Sequence, residues 1–360
     1  MSDMVEREKS FKIYEKRSGR KWLVLAAAAL LLLGLALFSL CSGSIRLTLG
    51  EVLSALFFRG SEEAGMVIWG IRLPRTAAAV LVGSGLAVSG AVMQCVLRNP
   101  LASASTLGVS QGAAFGAALG IVVFGGGVIN SGSSAAAVEV NHPGIVTLCA
   151  FLFGMISTGV ILALSRMKRD LGPGGLVLAG TALSSLFAGG SALLQYFADD
   201  TKLGAVVFWT FGNLGSAGRE ELLTLAVLVP AAFLYFMGNR WNYNAMRSAP
   251  DTAKSLGVNT RAVTLAGMTV CSLTAAAAVA FVGIISFIGL AAPHIMRRFV
   301  GEDYRFLIPC SAVAGALLLT GADTFSRLIV SPVILPVGAV TSFLGAPVFL
   351  MLLMKGGQRG

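Results

Sequence analysis

Long apolar stretches alternate with short charged connections along most of the chain. The apolar runs fall at about 22–41, 76–97, 106–124, 145–165, 174–197, 220–238, 262–283, 286–299, 306–328 and 336–354. Most approach the ~20 residues that an α-helix needs to cross a hydrocarbon core. The pattern predicts an all-α, polytopic membrane protein. It has a charged tail at 1–21, one transmembrane domain at 22–355 and a short tail at 356–360.

One stretch admits two readings. Val263 to Met296 runs for 34 residues without a charge. As a single helix it would extend about 51 Å, against a hydrocarbon core of about 30 Å. Charge placement separates the readings, because Lys and Arg concentrate on the cytoplasmic side. With two spans there and the N-terminus inside, 20 of the 27 Lys and Arg fall inside; with one span, 16 do. The two-span reading gives ten helices with both termini cytoplasmic. Gly283 and Gly289, on either side of the 284–288 stretch, supply the turn. The first apolar run, Trp22 to Cys41, is longer than a signal-peptide core of about 7–15 residues and reads as an uncleaved span.

Three connections read as non-helical in the main. On the outer side, 42–75 contains "SIRLTLGEVLSALFF", which reads as a short interfacial helix, and 198–219 contains "FWTFGNLGSAG". On the inner side, 239–261 is the longest connection and is too small to be a catalytic domain.

Composition narrows the function. The chain is 56% hydrophobic and 12% charged, too few charges for the surface of a soluble protein of 360 residues. The net charge of +10 follows the inner connections, so it reports membrane orientation and not a nucleic-acid partner. The five Cys stand singly in apolar runs and read as small packing residues. There is no Gly-Lys pair and hence no nucleotide-cradling P-loop; only His142 and His294 are present, so no metal cluster is expected. A non-enzymatic role follows.

A few polar and small residues stand out. Gly108, Gly112, Gly116 and Gly120 recur every fourth residue and predict a face for close helix packing. Gln94, Gln195 and Asp323 lie inside apolar runs, with His294 near the end of one. Such groups are expensive in lipid and point to function or pairing. Arg327, four residues after Asp323, shares its helical face, so a structural ion pair and an ion-coupling site are both open. Arg72, Arg75 and Arg327 fall on the arginine-poor outer side, either snorkelling or presenting an exposed cationic docking surface.

Six stretches, in this order, carry a family resemblance: "IRLPRTAAAVLVGSGLAVSGAVMQCVLRNPLASASTLGVSQGA", "WTFGNLGS", "KSLGVNTR", "GIISFIGLAAPHIMRR", "GADTFSR" and "LPVGAVTSFLGAPVFLMLL". Over about 45–355 the chain resembles the FecCD-type permease subunits of ABC importers for iron–siderophores, haem and vitamin B12. The resemblance implies a BtuC-like fold of ten helices in the bacterial cytoplasmic membrane. It implies a second permease subunit, two ATP-binding subunits below and an extracytoplasmic substrate-binding protein above. ATP and Mg would be used by the ATPase partners, with no cofactor bound by this chain.

Site roles follow from the same resemblance. Arg72, Arg75 and Arg327 would dock the binding protein. Ala253, Lys254, Ser255, Leu256, Gly257, Val258 and Arg261 would belong to the coupling segment, which carries two short helices against the ATPases. Asn99 and Leu101, with Pro173 and Gly174, would form the inner gate. Gln94, Leu178, Thr181, Ser184 and Ser185 would line the pathway. The competing expectation is an ion-coupled secondary transporter that works without an ATPase, with Asp323 as its ion site.

Overall fold

The computed structural model describes residues 2–43, 45, 47–125, 127–129, 138–140, 142–167, 173–248, 250–331 and 333–356. Every apolar run carries a helix. In chain order these are α1 (Ser2–Cys41), α4 (Leu73–Val96), α5 (Val109–Val122), α6 (Pro143–Met167), α7 (Pro173–Tyr196), α9 (Arg219–Gly238), α12 (Thr260–Val282), α13 (Ile288–Val300), α14 (Tyr304–Leu328) and α15 (Val337–Gly356). Between them lie α2 (Leu49–Leu56), α3 (Glu62–Val67), α8 (Asp200–Thr210), α10 (Arg240–Ser248) and α11 (Pro250–Ser255). Among the described residues seven helices are long and apolar enough to cross a membrane; α5, α13 and α15 are the apolar runs outside that set. At 14 residues α5 extends about 21 Å, short of the hydrocarbon thickness.

Several expectations change in detail. The helix of the first span begins at Ser2, so the charged tail continues its axis. The 198–219 connection is not mainly irregular: α8 fills half of it, started by Asp199, whose Oδ1 accepts the Lys202 N–H at 2.9 Å. A two-stranded antiparallel hairpin, β1 (Gly127–Ile129) with β2 (Val138–Val140), interrupts the helical pattern. The charge-free stretch does divide in two, at Gly283, where φ is +75°. Gly289, expected in the turn, instead lies inside α13 and meets α4.

Local chemistry explains the ends. Thr48 and Glu51 form a reciprocal capping box that starts α2. A π-turn at Ile68–Arg72 joins α3 to α4, and Pro74 occupies the first turn of α4, where its missing N–H is harmless. α4 stops at Val96, ahead of Asn99-Pro100, as expected for a residue that disfavours helix before it.

α4 is the hub. It packs against α14, α12, α13 and α9, and 83% of its most apolar window is buried. That approach needs glycine. A Cβ on Gly83 would strike the Gly315 carbonyl of α14, and one on Gly90 would strike the Gly289 carbonyl of α13. α7 and α9 are the reverse case, with 22% of their windows buried.

Candidate functional site

The two ends of α4 carry the polar chemistry, about 36 Å apart for a helix of 24 residues.

At its N-terminal end, three arginines close a buried network. Arg72 is 6% exposed. Its Nη1 donates to the carbonyls of Leu40 at 2.6 Å and Cys41 at 3.1 Å, and its Nη2 donates to the Ile45 carbonyl. The Leu40 and Cys41 carbonyls end α1, so the guanidinium acts as a cap there. Asp323, 1% exposed, accepts from Arg75 Nε at 2.8 Å and from Arg327 Nε at 3.0 Å. Arg327 reaches further, to Ser39 Oγ at 2.6 Å and the Ser42 carbonyl at 3.0 Å. The expected exposed cationic surface is therefore replaced by an enclosed knot joining α1, α4 and α14. The knot holds three guanidiniums and one carboxylate, so positive charge is in excess there.

The "WTFGNLGS" turn lies beside this knot. The space next to Gly215 faces Arg75 Nη1, and Asn213 Oδ1 accepts the Gly215 N–H at 2.9 Å. Gly212 and Gly338 both abut the Ile284 carbonyl, and the Gly338 N–H donates to Phe211 at 3.0 Å. Motifs far apart in sequence thus converge at one end.

At the other end of α4, the chain enters a tight connection. Asn99 Oδ1 accepts the Leu101 N–H at 2.9 Å, and Leu101 is 41% exposed. Ser103 and Thr106 bond reciprocally, and Gly108, at φ +79°, starts α5. The connection meets α7 through Thr106 and Leu107 at Gly180; Gly174 lies open at the start of α7, in the turn that begins with Pro173. The glycine face of α5 abuts α6: a Cβ on Gly116 would strike the Cys149 carbonyl, one on Gly112 would stand 2.6 Å from the Phe153 carbonyl, and Gly120 faces Val146.

α7 exposes Leu178, Thr181 and Ser185, with Ser184 half-buried. The hydroxyls turn back on the helix: Thr181 to the Leu178 carbonyl at 2.8 Å, Ser184 to Gly180 at 2.9 Å, Ser185 to Thr181 at 3.1 Å. This leaves a small, weakly polar face. Gln94, expected to line a path with them, stands apart from that exposed face. It is 4% exposed and its Oε1 accepts from Arg297 Nη1 at 2.5 Å.

The 239–261 connection is a built arm. α10 is fastened to its surroundings by Asn244, which donates to Asp303 Oδ1 at 3.0 Å and accepts the Tyr304 N–H at 2.9 Å. Burial pushes the Asp303 carboxyl up, but hydrogen bonds from Arg305 and Asn244 outweigh it and hold it down at about 2. α11 ends in a Schellman turn: Val258 N–H to the Ala253 carbonyl at 3.0 Å and Gly257 N–H to Lys254 at 2.9 Å, with Gly257 at φ +81°. Ala253 is buried, while Lys254, Ser255 and Arg261 are exposed and Leu256 stands 67% exposed at the tip. Asn259 then caps α12, accepting the Ala262 N–H at 3.0 Å.

Sequence reasoning missed the Arg75–Asp323 and Gln94–Arg297 contacts, which join residues 248 and 203 positions apart. Among the described residues no group of three or more His, Cys, Asp or Glu converges.

Comparison with known proteins is consistent across the whole bundle. The chain is 49% identical over 347 residues to a protein of Methanocaldococcus jannaschii assigned as an ABC transporter permease, covering 96% of this chain and 97% of that one. It is 38% identical over 333 residues to the iron(3+)-hydroxamate import system permease of Bacillus subtilis, covering 91% and 82%. A solved inward-facing ABC transporter of the metal-chelate type superposes with a TM-score of 0.80 at 31% identity, covering 92% of this chain and 99% of that one. The family model for FecCD transport matches residues 30–355, and the chain belongs to the FecCD transport family, whose members are membrane permease subunits.

Proposed function

We propose that this chain is the permease subunit of a binding-protein-dependent ABC importer that carries a chelated metal, a ferric siderophore by preference over haem or a corrinoid. Two copies, or this chain with a paralogue, enclose the path. Separate ATPase subunits burn ATP with Mg below, and a substrate-binding protein delivers cargo above. In this reading the ten apolar helices all cross the cytoplasmic membrane with both termini inside, and lipid covers the outer faces of α1, α6 and α9.

The observation that carries the reading is the α10–α11 arm. It is rigidly capped, pinned to the α13–α14 turn, and tipped by an exposed Leu256. A solvent-exposed apolar tip on a fixed arm suits a groove on a partner that pushes it. The weakly polar α7 face supports a wide path that does not grip a large chelate, and Asn99 and Leu101, with Pro173 and Gly174, are its inner closure. At the far end, the excess positive charge around Arg72, Arg75 and Arg327 favours an acidic binding protein. With those groups buried, docking acts through the field of the knot and the turns that cover it.

The ion-coupled alternative loses its candidate, because two guanidiniums already hold Asp323. The test is reconstitution of the chain with its ATPase and binding protein in liposomes. Uptake of a ferric siderophore should require ATP. Uptake driven by an ion gradient without the ATPase would refute the proposal.

A further inference from the structure

Near the C-terminal end of α4 there is a cavity of about 470 Å³ that the roles above do not use. Arg98, Arg247 and Arg297 line it, together with Gln94, His294 and Glu302. The three guanidiniums come from separate elements: the turn after α4, α10 and α13. Glu302 is engaged by Arg247 at 3.0 Å. Arg98 Nη2 donates to the Met246 carbonyl at 3.1 Å and Arg297 Nη1 to Gln94 Oε1, both neutral acceptors. The lining therefore holds three positive groups against one carboxylate. Arg98 also has φ +45°, a left-handed conformation that L-residues rarely adopt. Strain of this kind persists where surrounding structure enforces it, and it collects at ligand sites.

We propose that this cavity binds a phosphate-type anion, presented either by a lipid headgroup or as free phosphate. Guanidinium forks match tetrahedral oxyanions, and three forks on separate elements can share one such group. The cavity opens where α4 ends and α14 begins, which in the importer reading is the cytoplasmic side. A bound anion would tie the 97–108 connection to the α10–α11 arm, since Arg98 belongs to one and Arg247 to the other. The proposal rests on the importer reading only in calling this end cytoplasmic.

The test uses the full chain in neutral detergent. Inorganic phosphate is titrated by 31P NMR, and phosphatidylglycerol retention is followed by native mass spectrometry. Removing a guanidinium contact to a charged group costs roughly tenfold in affinity. We expect R98Q, at an exposed position, to weaken binding by that factor, and R297Q to do the same. Loss in both assays assigns free phosphate as a ligand; loss confined to the lipid assay assigns the headgroup. Equal binding by wild type and R98Q in both assays, or none in either, overturns the proposal. So does an R98Q chain that keeps both probes but no longer holds its ATPase, which would make the cavity a protein contact. Neither assay needs transport, so failure of the importer reading leaves the result standing.

Discussion

Asp323 shows how one carboxylate can govern several residues. It is almost fully buried and pairs with two arginines, one of them on another helix. Removing one partner from a buried ion pair costs about 3–5 kcal/mol, because a charge is left uncompensated. Asp323→Ala should therefore lower the thermal midpoint of the detergent-purified chain sharply, and Arg75→Gln, which leaves Arg327 as a partner, should cost less. Equal midpoints for wild type and Asp323→Ala would show the knot to be structurally idle. The Asp323–Arg327 half of this knot was legible in sequence, since four residues is one helical turn. The Arg75 half was not, because nothing local encodes which helix α14 meets. Exposure of the arginines was misjudged for a related reason: the carbonyls that Arg72 caps belong to α1, and their position depends on the whole bundle.

A second residue-scale prediction concerns Asp303. Its folded carboxyl lies at about 2, below the ordinary value near 3.9, so its contribution is fully present above about pH 4. That contribution is lost as pH falls toward 2. Asp303→Asn should thus weaken anchoring of α10 at pH 7, and the difference from wild type should shrink between pH 4 and 2. Proteolysis of the 239–261 connection at several pH values would measure it, and a difference independent of pH would contradict the assignment.

Among the elements, α11 and α7 carry the proposed coupling and pathway roles. Gly257 must adopt a positive φ for the Schellman turn to close. Gly257→Val introduces a β-branched residue there, which should disorder the tip that holds Leu256. Expected is near-normal ATP hydrolysis by the assembled complex, with uptake reduced at least about tenfold; coupled uptake at the wild-type rate would remove the coupling role. On α7, Ser185→Trp adds bulk to the weakly polar face without disturbing the core, since the side chain is exposed. Uptake of a ferric siderophore should fall while complex assembly persists, as read by transport assay and size-exclusion chromatography. α7 was legible from length and hydropathy, whereas α11, six residues in a polar connection, was expected only through the family resemblance. α8 escaped because 11 residues with mixed polarity resemble a connection, and its capping Asp199 is a signal too short to stand alone.

At the scale of the molecule, burial is unevenly distributed. α4 and α12 are enclosed, whereas α1, α7 and α9 present most of their surface outward. The sequence foretold a helix on each of the ten apolar runs, because hydropathy acts on the chain as a whole. It did not foretell which helices are central, since enclosed and lipid-facing helices are equally apolar. Only the glycines hinted at it, through the four-residue period that sets α5 against α6.

The glycine contacts of α4 also constrain how such a machine can move. Where Gly83 meets Gly315 and Gly90 meets Gly289, backbone rests on backbone with no side chain between to swing aside. Interlocked surfaces of that kind do not slide by small increments. α4, α13 and α14 are then expected to move as one rigid body, and the remaining degrees of freedom belong to the 97–108 connection and to α7, which is enclosed least among these. In the proposed importer, a stroke delivered at Leu256 would reach the far end through a body that turns without bending.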